Sequence, residues 1–464
     1  MSDPQVFDLV VIGGGPGGYA AAFYGASAGL QVALIEKDSL GGTCLNRGCI
    51  PAKAFLETAA VARHVQHAKD FGIDATQAGI DFSVAQHRKQ RIVDGLVKGL
   101  TGLTKTKKVT YLTGAGSLGA DRLVTVRGVD GSTQQVRGTS VLLAAGSVPR
   151  SIPGFDVGGP IMTSDEVLML DRVPNRLVVI GGGAIGCEFA STFADLGSQV
   201  TILEGLPKIL PGLDADLANV VVRSFGKKGI TIKTDARVTG HTPTASGGTR
   251  VHVEGSDDLE VDAVVVSVGR RPFPDQLGLE GTAVQVTDRR FVEVDAFCRT
   301  AERGVFAIGD LINTPQLAHV AYAEAVLVVK QILGENPTPV DYSRVPWAIY
   351  CHPEVAWAGP DEAQAKAAGY DVFRQVVPLE DPAEQPGTDP RRGRWSGENH
   401  RKEERRRLGG PTPRGTHGGT VGHRATLWWV SRRQLGGHGG RGRRVHPAPP
   451  EPHRTVRRDR PLAH

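Results

Sequence analysis

The chain has 464 residues, 40% of them hydrophobic, which is enough for roughly three domains with buried cores and too long for a small disulfide-stapled scaffold. Its formal net charge is +5, and no apolar run approaches the ~20 residues of a membrane span. The opening MSDPQVFDLVVIGGG carries an acid where a secretory leader would be basic, so a cytoplasmic location is expected, and five cysteines in a reducing compartment argue against a disulfide framework.

The first predicted unit, FDLVVIGGGPGGYAAAFYGASAGLQVALIEK from Phe7 to Lys37, reads as strand, glycine turn, small-residue helix and strand. Gly13, Gly15 and Gly18 follow the G-x-G-x-x-G spacing. The first glycine permits a tight turn, the second lets backbone amides approach a pyrophosphate, and the third lets helix pack on strand. Glu36, eighteen residues after Gly18, ends the second strand, where a carboxylate can bond ribose hydroxyls.

The next stretch, GGTCLNRGCIPAK from Gly41 to Lys53, sets Cys44 and Cys49 five residues apart between glycines. Such a pair is either two ordinary buried thiols or a redox couple. Further on, LVVIGGGAIGCEFASTFADLGSQVTILE repeats the first unit with Gly181, Gly183 and Gly186, and again an acid, Glu204, eighteen residues later. Repetition of the whole pattern predicts two dinucleotide sites, each with its phosphates at a helix N-terminus. The Glu204 carboxylate would bond a 2′-hydroxyl and repel a 2′-phosphate, which favours NAD over NADP. Two dinucleotide sites and a cysteine pair are the parts of an electron relay, with a flavin between nicotinamide and disulfide.

With these residues in place, GGTCLNRGCIPAK resembles the redox-active segment of the flavoprotein disulfide reductases, and its CLNxGCIPxK form is most similar to the dihydrolipoamide dehydrogenase branch. The resemblance spans roughly residues 5–375 in family order, through LLAAGSVPR (Leu142–Arg150), SVGRRP (Ser267–Pro272) and GVFAIGDLINTPQLAHVAYAEA (Gly304–Ala325). It implies that the first fingerprint with Glu36 holds FAD, and that Lys53 lies near the flavin and pairs with Glu188. It implies further FAD contacts from Gly116, Ala145, Gly146, Ser147 and Asp310, with His319 either near the flavin or a packing histidine. The second fingerprint, Glu204 and Gly269 would hold NAD. Cys49 would sit nearer the flavin, and Cys44 would exchange with substrate sulfur, the two forming a redox-active disulfide. A neighbouring lysine is the chemistry that favours a thiolate there.

The other cysteines carry less. Cys187 and Cys298 read as small packing residues. Cys351 beside His352 is no metal site, since adjacent residues cannot supply a ligand set, and no metal is expected.

From about Asp381 the chain changes character: residues 381–464 hold 18 Arg and 1 Lys against 8 acids, a net of +11 that leaves −6 for residues 1–380. With 14 Gly and 10 Pro and no Ile, Phe, Tyr, Met or Cys, this tail is expected to be disordered. The resemblance calls instead for an α/β dimerisation domain supplying a His–Glu acid–base pair in an HPTxxE motif. The nearest match, VHPAPPE with His446 and Glu451, lacks the Thr and lies among arginines and prolines. A shifted reading frame near residue 380 accounts for the change: read one nucleotide forward, the codons of Ser396–Glu404 permit the strand-like QVKIIAKKN. Taken at face value, the tail is a basic arm of the kind that neutralises nucleic-acid phosphates, but its tryptophans are too sparse for a stacking array, and no nucleic-acid partner is expected.

The expected fold is α/β, with two Rossmann-like dinucleotide-binding domains and a truncated or aberrant C-terminal dimerisation domain. Residues 1–147 plus 273–345 would form the FAD domain, 148–272 the NAD domain, 346–380 the start of the dimerisation domain, and 381–464 the tail. The resemblance implies oxidation of protein-bound dihydrolipoamide with NAD as acceptor. Its partner would be a lipoyl domain or lipoyl-bearing acyltransferase of a 2-oxoacid dehydrogenase complex, and its assembly a homodimer, doubtful without the C-terminal domain. Two alternatives stand beside it: an NAD(P)H-dependent reductase of another disulfide or a metal ion, and a flavin-binding remnant without turnover.

Overall fold

The computed structural model describes residues 3–373 and 426–428. Strand β1 (Gln5–Ile12) leads through helix α1 (Pro16–Ser27) to β2 (Val32–Glu36). Leu9 to Ile12 are all buried, an unbroken apolar run of the kind a parallel strand needs when both its faces are covered. The chain continues as α2 (Gly42–Arg47), α3 (Cys49–Gln66) and α4 (Phe82–Thr106), returns as β3 (Thr110–Thr113), and forms an antiparallel meander of β4 (Ala115–Leu118), β5 (Leu123–Arg127) and β6 (Thr133–Leu143). After β7 (Ser147–Pro149) and β8 (Ile161–Met162), the strand–helix–strand pattern recurs as β9 (Arg176–Ile180), α5 (Ala184–Asp195) and β10 (Gln199–Leu203).

The second pass continues through α6 (Ala215–Lys227) and β11 (Thr231–Lys233) to a meander of β12 (Val238–Pro243), β13 (Thr249–Val253) and β14 (Leu259–Val261), then β15 (Ala263–Val266). Next come β16 (Arg270–Pro272), β17 (Val305–Ala307) and α7 (Ala318–Ile332), and finally β18 (Pro346–Ile349), β19 (Val355–Ala358), α8 (Glu362–Ala367) and β20 (Thr426–Trp428). The parallel part of the first sheet is ordered β3-β2-β1-β6-β17, and the second sheet β11-β10-β9-β15-β8. One architecture is therefore built twice, each copy opening on a strand, a glycine turn and a helix. The chain crosses between the copies through β7 and β16, which pair antiparallel with Ser147 opposite Pro272.

Helix α3 ties the copies together. Its Ala52, Phe55, Ala59 and Ala62 are buried in the same core as Phe189 and Phe193 of α5, and the Phe55 and Phe82 rings stack with centroids 5.0 Å apart. At its far end Arg63 Nη1 lies 2.5 Å from Asp195 Oδ2, while Lys228 Nζ lies 2.7 Å from Asp195 Oδ1. The Asp195 side chain is only 8% exposed, so one buried carboxylate neutralises cations from two further elements.

β18 and β19 pair antiparallel, and β20 adds to β19 in parallel. Thr426–Trp428 is thus a strand within a tail whose overall composition predicts none; this short stretch, TLW, is locally more apolar than its surroundings and pairs with an existing edge. The remainder of the tail, with His446 and Glu451, lies outside the described residues. Among the described residues, no helix is long and apolar enough to cross a membrane.

Replacing Asp195 by Ala leaves two mostly buried cations unpaired and is expected to destabilise the chain by about 3 kcal/mol. Urea denaturation measures this, and an unchanged midpoint would mean that solvent already satisfies both cations.

Candidate active site

A cleft of about 1740 Å³ is lined by both glycine turns, by Cys44 and Cys49, and by Asp310. That exceeds the roughly 300–1,000 Å³ of a site for one small ligand. Gly13 has φ +110°, and a Cβ there would stand 2.3 Å from Ala144 O; Gly181 has φ +106°, with Ser267 O at 2.5 Å. A Cβ on Gly18 would meet Gly13 O at 1.8 Å and one on Gly186 would meet Gly181 O at 2.0 Å, so α1 and α5 press directly on their turns. The middle glycines differ: a Cβ on Gly183 would face open space, and one on Gly15 would meet nothing nearer than Gly42 Cα at 3.9 Å. Each turn is closed everywhere except where a helix N-terminus points, which is the shape an anionic pyrophosphate requires.

The two acids repeat as well. Glu36 accepts hydrogen bonds from Gly14 N at 2.7 Å and Asp38 N at 2.8 Å. Glu204 accepts from Gly182 N at 2.6 Å and Leu206 N at 2.8 Å. Each carboxylate therefore braces its own turn, and with about four lone-pair sites it keeps acceptor capacity for a ribose. Burial pushes the Glu36 carboxyl up, against the two backbone N–H groups that hold its charge. Gly116, Ala145, Gly146 and Gly269 line the same cleft; Gly146 at φ +74° and Gly269 at φ +103° have open space where a Cβ would be.

The cysteines meet where α2 gives way to α3 at Gly48, with Cys44 on α2 and Cys49 as the first residue of α3. Asn46 holds the preceding turn, its Nδ2 donating to Gly42 O at 3.0 Å and Leu40 O at 3.1 Å. Both sulfurs are free thiols, and Cys49 opens onto the cleft although protein packs densely around it. The hydrogen bond from Cys44, helped by the Lys53 charge and opposed by desolvation, brings the Cys49 thiol down to about 7. The same bond, reinforced by burial, pushes Cys44 far up. Of the two thiols Cys49 is therefore the more readily ionised, and it stands at the positive end of a helix.

Lys53, one turn along α3, places Nζ 2.9 and 2.8 Å from the two Glu188 oxygens and 4.4 Å from the centre of the Tyr350 ring. Glu188 also accepts from Tyr350 N at 3.0 Å, so α3, α5 and the end of β18 converge on one carboxylate. Arg47 pairs with Asp38 at the cleft wall.

Ser147 Oγ donates to Asp310 Oδ2 at 2.5 Å and accepts from Arg270 Nε at 2.8 Å. Arg270 also donates to Ser147 O at 2.8 Å and Thr43 Oγ1 at 3.4 Å, stitching the crossing strands to the residue beside Cys44. Sequence reasoning singled out Gly269 and passed over this neighbour, because nothing in SVGRRP distinguishes a bracing arginine from a solvated one. Gln316 was missed for the same reason: its Nε2 is buried with no protein partner, and the residue lines the cleft. His319 lies off the cleft lining. It is exposed, its Nε2 lies 2.9 Å from Pro346 O, and the cleft is lined instead by Leu317, Ala318 and Ala321, because its position in the first turn of α7 faces β18. Among the described residues, no group of three or more His, Cys, Asp or Glu is arranged to hold a metal ion.

The residues lining the cleft fit two dinucleotides: the middle glycines leave room for phosphate, and Gln316 offers an unsatisfied donor. Alkylation of Cys49 by iodoacetamide should rise with pH through a midpoint near 7, as the thiolate forms. In Lys53→Met the midpoint should move upward, towards the free-thiol value of about 8.5. An unmoved midpoint would remove Lys53 from the account.

A family model described as pyridine nucleotide-disulphide oxidoreductase matches residues 7–325. The curated dihydrolipoyl dehydrogenase of Chlamydia pneumoniae is 40% identical over 356 residues, which cover 76% of this chain and 76% of that protein. That of Geobacillus stearothermophilus is 39% identical over 376 residues, 80% of this chain and 79% of its own. Among solved structures, LpdA from Mycobacterium tuberculosis is similar with a TM-score of 0.75 at 27% identity, covering 80% of this chain and 81% of that one. The HOCl-induced flavoprotein disulfide reductase RclA from Escherichia coli reaches 0.71 at 29% identity, with 79% and 80% covered. Across two glycine turns and the cysteine pair between them, the chain belongs to the pyridine nucleotide-disulphide oxidoreductase family.

Proposed function

We propose that the chain is an FAD-dependent dihydrolipoamide dehydrogenase that oxidises a protein-bound dihydrolipoamide and reduces NAD. The observation that carries this reading is geometric: Cys44 and Cys49 meet in one cleft with two dinucleotide cradles, and they are unequal because Cys49 opens a helix one turn before Lys53. The names of the curated relatives favour dihydrolipoamide over another disulfide or a metal ion as the substrate.

The inequality sets the direction of thiol exchange. When the pair is a disulfide, a substrate thiolate attacks Cys44 Sγ, the Cys44–Cys49 bond breaks, and Cys49 leaves as the thiolate, because the lower-pKa sulfur is the better leaving group. The second substrate thiol, once deprotonated, attacks the sulfur that now bridges substrate and Cys44. Lipoamide leaves as the cyclic disulfide, and Cys44 takes the proton. The substrate has lost two electrons and the cysteine pair has gained them. Lys53 and the N-terminus of α3 hold the Cys49 charge throughout, and Glu188 fixes Lys53. FAD, when bound beside Cys49, supplies the acceptor for that electron pair and a route to NAD.

On this reading Gly13, Gly15, Gly18, Glu36, Gly116, Ala145–Ser147 and Asp310 seat FAD, in a domain of residues 1–147 and 273–345. Gly181, Gly183, Gly186, Glu204 and Gly269 seat NAD, in a domain of residues 148–272. The substrate is presented by the lipoyl domain of a 2-oxoacid dehydrogenase complex. Residues 346–380 begin a dimerisation domain, and the dithiol's base belongs to the part beyond it; a clean dimer on size exclusion would speak against the alternative of a monomeric flavin-binding remnant without turnover.

Cys44→Ser should lower NAD-linked dihydrolipoamide oxidation by at least ~10³-fold while FAD stays bound. Undiminished turnover would end this proposal. Glu204→Ala should lower the ratio of kcat/KM for NAD over NADP by about tenfold or more, since a repelling charge is lost. A constant ratio would show that another group discriminates the two.

A further inference from the structure

Residues 309–317 form one wall of the cleft, carrying Asp310 and Gln316. The segment is a succession of local turns: Ile312 N bonds Gly309 O at 3.0 Å, Thr314 N bonds Ile312 O at 2.9 Å, and Leu317 N bonds Pro315 O at 2.8 Å. Such turns set the segment's shape but not its angle to the sheet. Backbone bonds from Ile308 N to Leu143 O at 3.1 Å and from Val292 N to Leu311 O at 2.9 Å fix only its beginning.

Behind this wall, on α7, Glu324 is completely buried. One of its oxygens accepts from Gly309 N at 2.7 Å, and the other from Thr314 Oγ1 at 2.8 Å and Tyr342 Oη at 3.0 Å. All three donors are neutral, so the carboxylate's desolvation is offset by hydrogen bonds alone, and an apolar residue of similar volume would be the less demanding choice for packing. What the carboxylate does that an apolar residue cannot is draw both ends of residues 309–314 onto one rigid helix. Tyr342 also hydrogen-bonds Cys298, which extends the buried network to the loop before β17.

We propose that Glu324 is a positioning residue for the flavin: by clamping Gly309 and Thr314 together it sets the angle at which Asp310 and Gln316 face FAD. This rests on reading the first fingerprint as the FAD seat. Glu324 touches no ligand-facing space itself and acts through the segment it holds.

The test uses the full-length, FAD-loaded chain, with FAD release followed by the rise in flavin fluorescence on dilution and the fold followed by circular dichroism. Glu324→Ala should keep the parent's circular dichroism and release FAD about tenfold faster or more, the effect of losing one to two net hydrogen bonds. Glu324→Gln should restore release to within about threefold of the parent, because its amide oxygen can accept from Gly309 while its NH₂ donates to the two hydroxyls. Should the alanine variant fail to fold, Thr314→Val removes one of the two anchor points and should still speed release severalfold. Release at the parent's rate from the folded alanine variant, or from Thr314→Val in its place, would overturn the proposal, as would a glutamine variant as leaky as alanine. A parent chain that binds no FAD would overturn the flavin reading and this role with it, whereas equal retention by parent and variant overturns this role alone.

Discussion

The contact of Lys53 with Glu188 is the constraint around which the site is organised. Lys53 belongs to the helix that begins at Cys49, and Glu188 to the helix that begins at the second glycine turn, so their ion pair fixes a thiol from one nucleotide unit against the other unit's fingerprint. The pair is partly shielded, with Glu188 only 11% exposed, and a third element enters through Tyr350 N. A charge pair at this depth is weak evidence for stability, because desolvation consumes much of its attraction. Its value lies in placement: the ammonium sits one turn from Cys49, where its positive charge adds to the Cys44 hydrogen bond in lowering the thiol.

The same logic explains the duplicated turns. In each copy the acid at the end of the second strand accepts the N–H of the residue between the first two glycines, and the third glycine lets the helix close on the turn carbonyl. Two identical solutions at distant points of the chain follow from one requirement, to aim several N–H groups at a phosphate without a side chain in the way. The acid therefore serves the protein before it serves any ribose, since without it the turn would lose its brace. Glu324, whose donors are all neutral, is a third carboxylate used to orient backbone rather than to pair with a cation.

The cysteines gain their inequality from position within one short stretch. Cys49 has the helix N-terminus and Lys53; Cys44 has burial and the proton of the shared hydrogen bond. Thiol exchange through such a pair has a preferred leaving group built in, and this directionality, rather than mere proximity, separates a redox couple from two adjacent thiols. Arg270 and Asn46 hold the surrounding loops so that the sulfurs meet at all.

Much of this was legible before any coordinates. Glycine spacing, the terminal acids and the cysteine pair are local features, dictated by backbone geometry within about thirty residues, and they predicted two α/β units and a redox couple between cofactors. His319 shows where local patterns leave alternatives open, since a residue one position from the cleft wall can face a neighbouring strand instead, and helix rotation is set by packing. Arg270 and Gln316 were illegible because the partner lies far away in the chain for the one and is no protein group for the other, and Glu324 because its nearby partners belong to irregular turns that no spacing rule describes. The sequence by itself determined which chemistry the chain carries, because phosphate cradles and reactive thiols are short-range patterns. Only the tertiary structure decided how that chemistry is aimed, because the ion pair from α3 to α5 and the crossing strands join residues more than a hundred positions apart, which no local rule brings together.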